Sequence, residues 1–257
     1  MASEQKVAVV IPAKDEAKRI AETVRAARAI PGVDLVVVVD DGSSDDTLNV
    51  ARSAGATAVR HTVNRGKAAA METGASVVAM RDVPGVPAHV LLFIDADLGE
   101  SAIEIATLVH PVVAGEADCS IAALPPQKGA GGHGFVVGLG TSAIEKATGW
   151  HPTQPLSGQR CLTRDAFDAV CPLAAGWGVE VGMTIDLLVR GFTVQEVPCN
   201  LKHRATANDL AGNIHRGKQY LGVLRAVMAR KLRGVTVPHE RRHGKPNAEY
   251  QPFNAFR

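Results

Sequence analysis

Short runs of β-favouring apolar residues recur along the first half of the chain, each followed by a polar turn and then an amphipathic stretch. Residues 6–12, 35–40, 57–60, 89–94 and 118–123 read as strands. Between them, residues 17–29, 45–54, 67–80 and 102–114 space their apolar side chains as helices do. This alternation predicts βαβ units and a mostly parallel sheet whose ligands sit at the carboxyl ends of the strands.

The pattern breaks over residues 124–140, where Pro125-Pro126 and a Gly-Ala-Gly-Gly-His-Gly run predict a mobile loop over the sheet. Order resumes with residues 163–170, a helix over 179–189 and one or two strands over 192–203. A long basic helix is expected over 213–232, with Ile214, Leu221, Leu224, Met228 and Leu232 near one face. The last twenty or so residues have no period and read as an arm. The chain thus divides into 1–123, a second half of the same domain over 124–234, and a basic arm over 235–257.

At 257 residues and 46% hydrophobic content, the chain can bury one large core or two modest ones. Its four cysteines (Cys119, Cys161, Cys171 and Cys199) have no metal-ligand spacing and read as small buried residues of a reducing compartment. No run of 18 apolar residues and no secretory leader is evident, so a soluble, cytoplasmic protein is expected. The net charge of +2 hides an asymmetry. Residues 202–257 hold 12 Lys/Arg against 3 Asp/Glu, a balance of +9, which leaves the first 201 residues at −7. A basic C-terminal quarter is either a solvated face or a contact for an anionic partner. The expected partners include no nucleic acid. Peripheral contact with the inner face of the membrane through the basic helix is one alternative, and a homodimer contact is another.

The richest chemistry lies in His89–Leu98, H-V-L-L-F-I-D-A-D-L, where a buried strand runs into two carboxylates. Side chains at i and i+2 on extended backbone share a face, so Asp95 and Asp97 should meet at one site and call for a cation. Oxygen ligands favour a hard divalent ion, Mg²⁺ or Mn²⁺, shared with a diphosphate. Three further polar clusters also follow strands: Pro12-Ala13-Lys14-Asp15-Glu16, Asp40-Asp41-Gly42-Ser43-Ser44-Asp45-Asp46-Thr47, and Asn64-Arg65-Gly66-Lys67. In a parallel sheet all four clusters fall on one edge and converge on one cleft.

These four motifs, in this order and spacing, resemble the nucleotide-sugar half of GT-A glycosyltransferases of the family 2 type. The resemblance covers roughly the first 100 residues and implies a Rossmann-like α/β half followed by an acceptor region. It implies a nucleoside-diphosphate sugar as donor, with UDP favoured over GDP. Asp41 and Lys67 would meet the base, with Pro12, Ala13, Lys14, Glu16, Gly42, Ser43, Asp95 and Ala96 around the donor and Asp97 on the metal. Downstream, P-L-S-G-Q-R (155–160), G-W-G-V-E-V-G (176–182) and N-L-K-H-R (200–204) are similar to actinobacterial glucosyl-3-phosphoglycerate synthases. That similarity implies Gly158 at the donor, Glu180 beside the sugar and His203 joining Asp97 on the metal, with Arg204 as a further positive contact.

The reaction implied is transfer of a hexose, glucose being favoured, to a small polar, phosphorylated acceptor with retention, Glu180, Asp97 and Arg204 carrying the chemistry. Retention needs no strong protein base, whereas inversion would draw on Glu180. Where that family has an Arg-Gly-Arg-x-Thr acceptor segment, this chain has Gly132-His133-Gly134-Phe135-Val136. The stretch G-F-T-V-Q-E-V-P-C-N-L-K-H-R equally resembles polyprenyl-phosphate glycosyltransferases, so a lipid acceptor stands as the alternative. A catalytically inactive nucleotide-sugar-binding protein is the non-enzyme alternative. Gly138-Leu139-Gly140-Thr141-Ser142-Ala143 formally matches a dinucleotide fingerprint but lacks its acidic partner, so its glycines are expected to serve helix packing. Trp150 and Trp177 could stack on a sugar or pack in the core.

Overall fold

The computed structural model describes residues 5–124, 134–201, 210–242 and 250–256, with side chains of 210–216 and 218 outside that description. Strands β1 (Val7–Ala13), β2 (Val33–Asp40), β3 (Thr57–Arg60), β4 (Val90–Phe93), β5 (Cys119–Ala123), β6 (Arg160–Leu162) and β7 (Val194–Pro198) form one seven-stranded sheet. Its order is β3-β2-β1-β4-β6-β5-β7. β1 is parallel to β2 and β4, β2 to β3, and β5 to β7. β6 alone runs antiparallel, between β4 and β5. The mostly parallel α/β sheet expected from the alternation is therefore present.

Two cores sandwich the sheet because β1 and β2 are apolar on both faces. Val7, Val9 and Ile11 face the side covered by α1 (Ile20–Arg28) and the 3₁₀ helix Gly99–Leu108. Ala8 and Val10 face the side of α3 (Lys67–Ala79) and α7 (Val179–Val189). α1 buries Ile20, Thr23, Val24 and Ala27, one stripe at helical spacing. α2 (Thr47–Ser53), α4 (Val109–Val113), α5 (Gly134–Thr148), α6 (Arg164–Val170) and α8 (Leu210–Leu232) complete the helices. The helix expected over 102–114 is a 3₁₀ helix continued by α4, in whose first turn Pro111 sits without breaking an intrahelical bond.

Four expectations change. The mobile loop predicted to reach residue 140 ends earlier, because residues 134–148 form α5 and residues 125–133 lie outside the described region. Its glycines mislead as breakers: a Cβ on Gly140 would lie 3.1 Å from Val181 and 3.2 Å from Pro155, so this glycine serves close packing inside a helix. β6 was not anticipated, since three residues show no readable period. The free arm expected at the C-terminus is not what residues 250–256 form: Phe253 bridges Val194 in antiparallel fashion, stacks on Trp150 at 6.2 Å and is buried with Ala255. Trp150 is accordingly a core residue.

The fourth change concerns α8. Leu221, Met228 and Leu232, three of the five apolar residues expected near one face, do share a face, but it is exposed, while Val223 and Ala226 on another face are buried. Small residues select the buried face, because α8 crosses the 3₁₀ turn Gly176–Gly178 at close range. A Cβ on Gly178 would stand 2.4 Å from that of Ala226, and one on Gly222 would stand 2.9 Å from that of Trp177. Leucines do not fit such a crossing and turn outward.

Candidate functional site

The polar clusters that follow β1 to β4 meet as expected, but most of their side chains hold one another. Asp15 donates its backbone N–H to Ser43 Oγ at 2.9 Å, and its carboxylate accepts from the Ser44 N–H at 2.7 Å. The Glu16 N–H donates to Thr47 Oγ1 at 2.9 Å, and Ser43 N–H donates to Asp40 Oδ1 at 2.8 Å. Asp15 adopts φ +56°, and the bond from the Ser44 N–H, with help from Lys14, lowers its carboxyl from 3.8 to about 2. The turn chemistry of D-D-G-S-S-D-D-T thus clamps the β1 loop to the β2 loop.

Asp41 does the same for the third cluster. Its buried carboxylate accepts from the Arg65 and Gly66 N–H groups at 2.8 and 2.7 Å and bonds His61 Nδ1 at 2.7 Å. His61 Nε2 in turn lies 2.9 Å from Thr73 Oγ1. Burial pushes the Asp41 carboxyl up, but the three hydrogen bonds outweigh it and hold the group below its ordinary value. The result is a fixed turn delivering Lys67 at the start of α3.

Lys67 is the centre of the site. Its ammonium lies 2.8 Å from Asp95 Oδ1 and 3.1 Å from Glu180 Oε1, bridging the end of β4 to the first turn of α7. Burial alone would lower the lysine; the two carboxylates outweigh it and hold the pKa above the usual lysine range. Gln159 Nε2 donates to the other Asp95 oxygen at 2.9 Å. Gly158 makes this crowding feasible, since a Cβ there would stand 2.5 Å from Lys67 Nζ and 3.2 Å from both Asp95 oxygens.

Beneath Glu180 lies Arg160, only 1% exposed. It donates to Ser157 O and Thr184 Oγ1, both at 2.9 Å, and Thr184 bonds the Glu180 carbonyl. Burial lowers its guanidinium, offset in part by Glu180 and Glu196.

These groups open on a cavity of about 460 Å³. Of the residues singled out from the sequence, Pro12, Lys14, Glu16, Lys67, Asp95, Ala96, Asp97, Gly158 and Glu180 line it. Ala13, Asp41, Gly42 and Ser43 are not among its lining, and His203 and Arg204 lie outside the described residues. Trp177, a candidate for stacking on a sugar, also lines the cavity, and Val136, Leu156, Gln219 and Val223 do so without having been assigned to it from the sequence. A helical i, i+4 pair was the available signal for Gln219 and Val223, but the larger leucines masked it.

Asp95 and Asp97 reach the same cavity, though from a turn beyond β4 rather than from extended strand. They differ in charge balance. Asp95 is compensated by Lys67, whereas among the described residues no hydrogen bond or ion pair engages the Asp97 carboxylate. The described lining holds two lysines against four carboxylates, an imbalance that suits a divalent cation bound by one protein oxygen and by anionic ligand oxygens. Among the described residues, no group of three His, Cys, Asp or Glu could hold a metal without a ligand's help. The four thiols stand apart from this chemistry: burial pushes Cys119 to about 12 and Cys171 to about 11, which makes them inert.

Comparison with known proteins agrees with this geometry. The chain is 28% identical to the glucosyl-3-phosphoglycerate synthase of Mycolicibacterium paratuberculosis, over 72% of this chain and 60% of that protein. It is 32% identical to an uncharacterized protein of Methanocaldococcus jannaschii, over 43% of each chain. The alignments therefore span less than two thirds of either relative. A crystal structure of the Mycobacterium tuberculosis glucosyl-3-phosphoglycerate synthase with Mg²⁺ and UDP superposes with a TM-score of 0.71 at 25% identity, covering 88% of this chain and 79% of that one. The model of glycosyl transferase family 2 matches residues 8–175, well over half of the sequence. The chain belongs to glycosyl transferase family 2.

Proposed function

We propose that the protein transfers a hexose, glucose in the favoured reading, from UDP-glucose to a small phosphorylated acceptor, with a divalent cation and with retention. The observation that carries this reading is the single cavity in which Asp97 stands uncompensated while Lys67 holds Asp95 and Glu180. Asp97 would hold Mg²⁺ or Mn²⁺, with His203 as the second protein ligand. When bound, the cation supplies neutralisation of charge on the diphosphate leaving group. The nucleoside end is formed by Pro12, Lys14 and Glu16, with Asp41 fixing the turn beneath it.

Glu180 supports retention over inversion. One of its oxygens is already held by the Lys67 ammonium at 3.1 Å, which fixes the carboxylate as an acceptor for sugar hydroxyls rather than leaving it free to act as a base. The acceptor proton would then pass to the leaving phosphate. Gly158 and Trp177 bound the space available to the sugar.

A polyprenyl phosphate as acceptor is the second reading, favoured by one observation: Trp177 and Phe135, 44% and 85% exposed, stand on and beside the cavity wall. The deciding experiment incubates UDP-glucose and Mn²⁺ with 3-phosphoglycerate or with a polyprenyl phosphate and assigns the product anomer by NMR. An α-linked glucosyl phosphoglycerate is expected. A β-linked product would overturn retention, and turnover with the lipid alone would overturn the small acceptor.

A further inference from the structure

The outer face of α8 has no partner among the described residues. Leu221, Met228 and Leu232 are 52%, 44% and 83% exposed, and with half-buried Leu224 they form one stripe at helical spacing. Exposed Arg225 and Lys231 flank the stripe, and no Asp or Glu occurs between Leu210 and Leu232. Alongside runs a groove of about 400 Å³ between α5 and α8, floored by Leu139, Ala143, Ile185 and Val227, with Lys146 and Lys231 among its lining. No helix among the described residues is long and apolar enough to cross a membrane.

We infer that this face docks reversibly on an anionic lipid surface, with α8 lying in the plane of the interface. Leucines and a methionine flanked by basic residues are the chemistry of an interfacial helix, which inserts its apolar stripe and sets its cations among lipid phosphates. Each cation near such a surface raises binding roughly fivefold, so Arg225 and Lys231 together contribute about 25-fold. A second copy of the chain is the poorer occupant. A symmetric dimer through α8 would set this basic face against itself, with no acidic residue of the helix to offset it.

The test is co-sedimentation of the full chain with vesicles of phosphatidylcholine alone or mixed equally with phosphatidylglycerol. The protein is expected to pellet only with the anionic vesicles at about 0.1 M salt and to be released at about 0.5 M, where charge is screened within a few ångströms. Leu221→Ser/Met228→Ser/Leu232→Ser and, separately, Arg225→Glu/Lys231→Glu should each lower the bound-to-free ratio at least tenfold. Both variants should keep the thermal midpoint and the turnover of a water-soluble acceptor, which separates this docking from the proposed reaction. Equal pelleting with neutral vesicles, or none with anionic ones, would overturn the inference. So would a dimer in sedimentation velocity that the serine variant dissociates, which would assign the face to a second copy.

Discussion

The two halves of the molecule use polar residues in opposite ways. In the first hundred residues they are dense and mostly spent on each other: Asp15, Ser43, Asp41 and Thr47 bind backbone amides and hold three loops together. Beyond residue 134 the polar residues of the site come from separate segments, and two of them touch the first half. Glu180 meets Lys67 across 113 positions, and Gln159 meets Asp95 across 64. A dense motif therefore marks a scaffold as much as a chemical group, and isolated residues from distant segments complete the site.

Substitutions in the two classes should separate them. Asp97 lines the cavity and has no partner among the described residues, so Asp97→Ala should leave the melting transition intact. Losing a Lewis-acid site is worth several kcal/mol, on the order of a hundredfold or more in kcat/KM. Calorimetry should also show UDP binding that no longer responds to Mn²⁺. Wild-type turnover, or an unchanged metal response, would remove Asp97 from the chemistry.

Asp41 belongs to the scaffold, and its effect should be indirect. Asp41→Ala leaves the Arg65 amide unpaired and the Gly66 amide with Asn64 Oδ1 alone, a cost of about 1–3 kcal/mol. UDP affinity should fall roughly ten- to a hundredfold by that measure, accompanied by faster amide exchange over residues 64–67. Weaker UDP binding with unchanged exchange would show that the carboxylate meets the base directly.

Lys67 joins the halves, so its loss should register in both stability and activity. Lys67→Met removes the cation that bridges Asp95 and Glu180. The pair is partly exposed, which places the cost between that of a surface and a buried ion pair, about 2 kcal/mol. Adding Asp95→Asn should recover part of that stability but not the activity. Strict additivity of the two changes would deny the coupling.

The smallest effect concerns Asp15. Its carboxyl is depressed from 3.8 to about 2 in the fold, so its contribution is complete above pH 4 and is lost as pH falls toward 2. Melting curves of the wild type and Asp15→Asn should differ slightly at neutral pH and converge near pH 2. A gap that persists at pH 2 would place the effect in the backbone at φ +56° rather than in the charge.

Strands β1 to β5 and the helices among them were legible along the chain, because apolar period and turn chemistry are local signals read over a few residues. The convergence of the polar clusters was legible for the same reason: parallel strands place their carboxyl ends together whatever the details. Family membership followed from those clusters.

Three matters were decided only by the tertiary structure. Asp97 lines the cavity while Asp41 is taken up by the Arg65 and Gly66 amides, a choice made by which amides the neighbouring loop presents. Gly158, Gln159 and Glu180 close around Lys67 because β6 runs antiparallel between β4 and β5, and a three-residue strand carries no period that would reveal it. The side of α8 that is buried was set by how closely it crosses Gly176–Gly178. Periodicity ranks the faces of a helix by hydrophobicity, but a close crossing ranks them by size, and there glycine and alanine displaced leucine.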